Sequence, residues 1–130
     1  MIAMGSGMAL DWQSGELAEG LGCYERGEFF VAHEHWELAW LRLSEPEKSF
    51  LQAMIQVTAA FHHWERGNVA GTLSLLRRVQ RRLDGYPAVF GGMDVRRLRG
   101  EIEEWVRGMG SGEVPGAYPV IGGEGSCSRS

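Results

Sequence analysis

Cysteine is nearly absent from this chain: Cys23 and Cys127 are its only two, and the second lies in a Gly/Ser-rich tail. That spacing builds neither a disulfide framework nor a zinc motif. Long hydrophobic runs are missing too. The most apolar stretch, Phe50 to Phe61, is interrupted by Gln52, Gln56 and Thr58. It falls short of the roughly 20 residues that cross a bilayer, so no membrane association is expected. Met1 to Leu10 carries neither an early Lys or Arg nor an apolar core, which argues against a secretory signal and makes the cytoplasm the expected location. No strand-like alternation of useful length occurs, and with it goes the strand that would precede a glycine-rich phosphate loop.

What is there is a chain of 130 residues, 44% apolar and 23% charged, enough for one domain with its own core. The net charge of −4 hides an asymmetry. Residues 1–66 carry 10 acids against 4 bases, a balance of −6, whereas residues 77–99 carry 7 arginines against 2 aspartates, a balance of +5. Such a segment leaves anion or nucleic-acid binding open.

Apolar periodicity and breakers predict five helices, over about 12–26, 28–43, 46–66, 69–83 and 95–107. Gly27 and Gly67 suit the positions just past helix ends, and Pro46 suits a first turn. Asn68 and Asp94 read as N-caps. The expected organisation is a flexible leader over 1–10, one helical domain over 11–107 and a mobile Gly/Ser-rich tail over 108–130. The fold class is all-α: a compact bundle of two antiparallel helical hairpins plus a C-terminal helix. A short repeat supports the hairpins. Tyr24-Glu25-Arg26-Gly27 recurs as Trp64-Glu65-Arg66-Gly67, each copy at a helix–helix junction. The spacing resembles a tetratricopeptide-type hairpin, but two units are too few for a solenoid. A tight αα-turn accounts for it more simply.

The second helix carries the most informative residues. Phased at about 100° per residue, Phe29, Trp36 and Trp40 form an aromatic stripe. His33 and Glu37 fall inside that face, Glu34 falls nearer its edge, and Phe30 and Leu41 close the far side of Glu37. The third helix is apolar around most of its circumference, which marks a central helix. It adds His62 and Gln52. A semi-buried cluster of His33, Glu37 and His62, joined by Glu34 and Gln52, is therefore expected. Three readings compete: a hydrogen-bonded network docking the two helices, a Zn, Mn or Fe site held by His33, Glu37 and His62, or a carboxylate–imidazole acid–base pair. The chain lacks both the His-Glu-x-x-His of metalloproteases and the Glu-x-x-His pairs of di-iron bundles, which favours the network. If Glu37 is buried, Glu37→Ala should cost roughly 2–4 kcal/mol. Cys23, Ser49 and Ser74 have no evident base beside them in sequence. On the fourth helix Arg77, Arg78, Arg81 and Arg82 form a basic face, most simply a solvated one, and the lack of interleaved aromatics argues against nucleic acid.

The run Gly27-Glu28-Phe29-Phe30-Val31-Ala32-His33-Glu34-His35-Trp36-Glu37-Leu38-Ala39-Trp40 is similar to the signature of an uncharacterised prokaryotic family, domain of unknown function 309. Leu51-Gln52-Ala53-Met54-Ile55, Ala59-Ala60-Phe61-His62, Arg66-Gly67-Asn68 and Gly92-Met93-Asp94 continue the resemblance, which spans about residues 17–105. It implies a compact all-α domain with no established reaction or cofactor, and its motif positions fall on His33, Glu34, Glu37, Trp40, Gln52 and His62. Val31 stands where the family usually has Glu, and Ala53 where Gly is usual. His35 and His63 lie outside the motif. The reading that follows is a domain that binds a protein partner or itself through exposed Trp or Met on its helical faces, with a His/Glu network between its central helices. A small metal-dependent or acid–base enzyme using His33, Glu34, Glu37 and His62 is the alternative. Anion or nucleic-acid binding through the arginine face is a second.

Overall fold

The computed structural model describes residues 10–122. Cys127, nearly all of the expected leader and the end of the expected tail lie outside the described residues. Helices α1 (Gly15–Glu25), α2 (Phe29–Trp40), α3 (Glu47–Glu65), α4 (Val69–Leu83) and α5 (Val95–Ser111) account for most of the chain. Between α4 and α5 lie two very short strands, β1 (Val89–Phe90) and β2 (Met93–Asp94). They pair antiparallel, Val89 with Asp94 and Phe90 with Met93. Gly91 and Gly92, at φ +58° and +76°, form the two-residue turn that such a hairpin needs. Two residues per strand leave no alternation to read, which is why the sequence conceals this pair.

The repeated four-residue motif is one turn used twice. Gly27 and Gly67 both adopt φ +80°. In each copy the glycine N–H returns to the aromatic residue's carbonyl, Tyr24 or Trp64, at 3.0 Å. The next N–H reaches back further: Glu28 donates to Cys23 O at 2.8 Å and Asn68 to His63 O at 2.9 Å. This pattern ends a helix with a left-handed glycine and satisfies its last carbonyls. Asn68 then caps α4, accepting from Gly71 N–H at 2.9 Å, and Asp94 caps α5, accepting from Arg97 N–H at 3.0 Å.

Helix α3 is central. It packs on α2 and on α4, while α1 completes the far side of α2 and α5 that of α4. Phe50, Leu51, Met54, Val57 and Phe61 are fully buried along it. The two buried polar side chains among the described residues are threonines, each satisfied by a backbone carbonyl. Thr58 donates to Ile55 O at 2.6 Å, and Thr72 donates to Asn68 O at 2.8 Å and Ala60 O at 3.1 Å.

The expected domain end at 107 is too early. Helix α5 continues to Ser111 and closes at Gly112, φ +91°. The chain beyond it forms a strap over the core. Tyr24 Oη donates to Pro119 O at 2.6 Å, Trp105 Nε1 to Ala117 O at 3.0 Å and the Val120 N–H to Glu101 Oε1 at 2.7 Å. The Tyr118 ring meets Phe29, Phe61 and Trp105, and Ile121 is buried. Two anchoring side chains in a Gly/Pro-rich stretch make no periodic pattern, so composition alone reads as a tail.

Gly20 lies under the Trp36 indole, and a Cβ there would collide with the ring at Nε1 and its neighbouring carbons. We expect Gly20→Ala to lower stability by about 1–3 kcal/mol through overpacking. At Gly22 a Cβ meets only the Arg26 Nη1 end at 3.3 Å, so Gly22→Ala should be neutral or stabilising. Urea midpoints of the two variants test this, and equal midpoints would refute the Gly20 assignment.

Burial pushes the Tyr24 phenol well above its ordinary range, and burial with the Glu65 contact raises Tyr118 to about 12. The fold favours both neutral phenols, so their contribution is fully present below the ordinary pKa of 10.0 and is lost as pH rises toward 12. The urea midpoint should therefore fall above about pH 10, and less steeply in Tyr24→Phe.

Candidate functional site

Helix α2 is covered on one stripe only. Phe29, Ala32 and Trp36 are buried, and Trp36 Nε1 donates to Leu17 O at 3.1 Å. Turned outward are Phe30, Glu34, Glu37, Leu38 and Leu41. Leu38 and Leu41 are 53% and 67% exposed, and Phe30 is 56% exposed. These are large apolar side chains held in solvent on one helix face.

The expected buried His/Glu network does not form. His33 Nε2 and Glu37 Oε2 lie 3.6 Å apart, within ion-pair range but beyond a good hydrogen bond, and the Glu37 side chain is 59% exposed. Glu34 is also exposed. His62 is half-buried and lies near Phe30, ring centroids 5.8 Å apart, with the His33 ring 6.5 Å from the same phenyl. The reason is the packing of α2. Among the described helices α1 and α3 pack extensively on it, so residues one step around the helix from the aromatic stripe emerge at the surface. Among the described residues no group of three His, Cys, Asp or Glu is placed to hold a metal ion. The ligand set His33, Glu37 and His62 is therefore not assembled.

The same residues nevertheless share one face. Glu34, Glu37, Trp40 and Gln52 line a groove of about 730 Å³ between α2 and α3, together with Leu38 and Leu41. His33 and His62 line a smaller hollow of about 190 Å³ with Phe30 and Thr58. The His33–Glu37 contact joins the two. Across the Trp40 ring sits the Lys48 ammonium, 4.2 Å from the ring centroid. An aromatic face with carboxylates beside it is a seat for a cation.

Two features escape sequence reasoning. His35 Nδ1 contacts Glu16 Oε1 at 2.6 Å, tying α2 to α1 through the shortest imidazole–carboxylate pair among the described residues. Its partner lies on another helix, so no spacing reveals it. Leu38 and Leu41 carry the groove's apolar rim, and their distance from the buried stripe on the helical wheel was the available signal. Cys23 is buried, and burial pushes its thiol away from the reactive thiolate form.

On α4, Arg77, Arg78 and Arg81 are exposed and make no ion pair among the described residues. Arg82 is half-buried. The neighbouring aspartates are engaged: Asp84 with Arg99 at 2.5 Å, Asp94 as the cap of α5.

The family model described as domain of unknown function (DUF309) matches residues 17–75, from α1 into α4, and so includes the whole groove. A crystal structure of a conserved hypothetical protein from Thermus thermophilus is similar at a TM-score of 0.60 and 34% identity, covering 79% of this chain and 99% of that one. None of the curated proteins matches.

With Glu37 in solvent, Glu37→Ala should change unfolding free energy by no more than about 0.5 kcal/mol. Trp36→Ala should cost about 3–5 kcal/mol. A large loss for Glu37→Ala in urea denaturation would restore the buried network.

Proposed function

Since the chain belongs to the family described as domain of unknown function (DUF309), whose description assigns it no reaction, we propose from its own geometry that it is a docking module. Its α2–α3 groove takes a cationic helical segment of a protein partner. One observation carries this reading. Leu38 and Leu41, each more than half exposed, border a groove whose wall also presents Glu34, Glu37 and the cation-bearing Trp40 ring. Contiguous exposed apolar side chains rimmed by charge mark interaction surfaces. Long basic side chains suit them, because their stems cover apolar surface while their heads reach carboxylates. A helix laid into a groove is a recurring recognition mode with that side-chain logic.

The acid–base alternative has less support. Its pair, His33 and Glu37, stands at 3.6 Å, beyond a good hydrogen bond, with the Glu37 side chain 59% exposed.

A synthetic helical peptide of leucine and lysine tests the docking reading, with a leucine–glutamate peptide of the same spacing as control. Calorimetric titration should show binding of the basic peptide only, weakened by salt and weakened roughly tenfold or more in Leu41→Asp. Circular dichroism confirms that the variant is folded. Absence of binding, or equal binding by parent and variant, would overturn the reading.

A further inference from the structure

We infer that the cationic helix this groove takes is α4 of a second copy of the same chain; the inference rests on the docking reading above. The outward stripe of α4 runs Ala70, Ser74, Arg77, Arg78, Arg81, all exposed, with Val69 beside it at 47% exposure. Its three arginines lie within about one helical turn and have no carboxylate partner among the described residues. The acids nearest in sequence are occupied, Asp84 by Arg99 and Glu65 by the Tyr118 hydroxyl. The complementary surface is the groove, where Glu34 and Glu37 stand in solvent on a chain half that carries −6 against the +5 of residues 77–99.

The two faces match in length as well as sign. From Phe30 to Leu41 and from Val69 to Arg81 each spans about 16–18 Å at 1.5 Å per residue. Laid antiparallel, α4 sets Arg77 opposite Glu34, Val69 and Ala70 opposite Leu41, and Arg81 opposite Phe30. Leu41 then lies against the apolar start of α4, and one guanidinium meets an aromatic face. A single-stranded nucleic acid fits the same arginines less well, because α4 offers no exposed aromatic ring for bases to stack on.

Within one chain α3 lies between α2 and α4, so the groove and the arginine face are separate surfaces. Each copy docked through one retains the other. The contact is heterologous, and it closes into a ring or continues as an open assembly.

Sedimentation velocity on the full chain tests this. The parent should grow in mass with concentration and revert toward monomer in high salt. Two variants separate the faces: a groove variant, Glu34→Lys with Glu37→Lys, and an arginine-face variant, Arg77→Glu with Arg81→Glu. All four sites are exposed, and unchanged urea midpoints confirm folding. Each variant alone should be monomeric. Their equimolar mixture should associate again, at least roughly tenfold more tightly than either alone. Three results overturn the inference. A parent that stays monomeric yet binds the leucine–lysine peptide leaves the docking reading intact and removes self-pairing. An arginine-face variant that associates like the parent places the contact groove to groove. A parent that stays monomeric but binds a labelled single-stranded RNA, with binding lost in the arginine-face variant, assigns the arginines to nucleic acid.

Discussion

Trp36 reaches from α2 over a glycine of α1, donates its indole N–H to Leu17 O at 3.1 Å, meets Trp12 edge to face and stacks on Tyr24. The absence of a side chain at Gly20 permits this approach. The contact sets the rotation of α2, because a ring that is wholly buried and hydrogen-bonded cannot turn without exposing an unpaired donor. Once Trp36 points inward, Phe29 and Ala32 follow it into the core. Glu34, Glu37, Leu38 and Leu41 are then obliged to face out, whatever their own preferences. The groove is the geometric remainder of the Trp36 contact.

Leucines in solvent cost the isolated chain little directly, but they leave a gain available on association. Burying one such side chain contributes about 1.5–3 kcal/mol before the costs of association are subtracted. Carboxylates on the same rim contribute less affinity than selectivity: they favour a cationic partner and disfavour an acidic one. Lys48 over Trp40 shows the preference in miniature, since the ring already holds the ammonium of a neighbouring helix. The half-exposed leucines and the paired acids therefore act on different quantities, the first on how tightly a helix is held and the second on which helix it is.

Much of the fold was legible from residues. The helix ends at Gly27 and Gly67, the caps at Asn68 and Asp94 and the centrality of α3 all appear in the sequence, because each depends on local chemistry or on one helix's periodicity. The candidate site was half legible. Helical phasing gathered His33, Glu34, Glu37, Gln52 and His62 onto the α2–α3 face, and the structure places them along one groove and its adjoining hollow. Phasing cannot say how many neighbours a helix has. An aromatic stripe flanked by two helices buries about one-third of the circumference, whereas the buried network required something nearer two-thirds. The strap was hidden for a different reason. Tyr118 and Ile121 anchor it individually, and its own main-chain carbonyls accept from Tyr24 and Trp105 on other elements.

The strap also bears on what the helical array can do. Tyr118 closes the end of the α2–α3–α5 junction, against Phe29, Phe61 and Trp105, and its hydroxyl donates to Glu65 at 3.0 Å. The Glu101 carboxylate holds Val120 N–H and pairs with Arg97. Carboxylates near this end of the core are thus engaged by the chain itself, as are the acids flanking the arginines of α4. Glu34 and Glu37 differ: among the described residues Glu34 makes no ion pair, and Glu37 meets His33 of its own helix at 3.6 Å. They stand on a face that internal packing does not need, beside apolar side chains that internal packing does not cover. Charge and apolar surface left together in this way have little role in holding one copy folded. Their physical consequences arise when a second surface arrives, which is why the groove, rather than the buried aromatic core behind it, carries the functional reading.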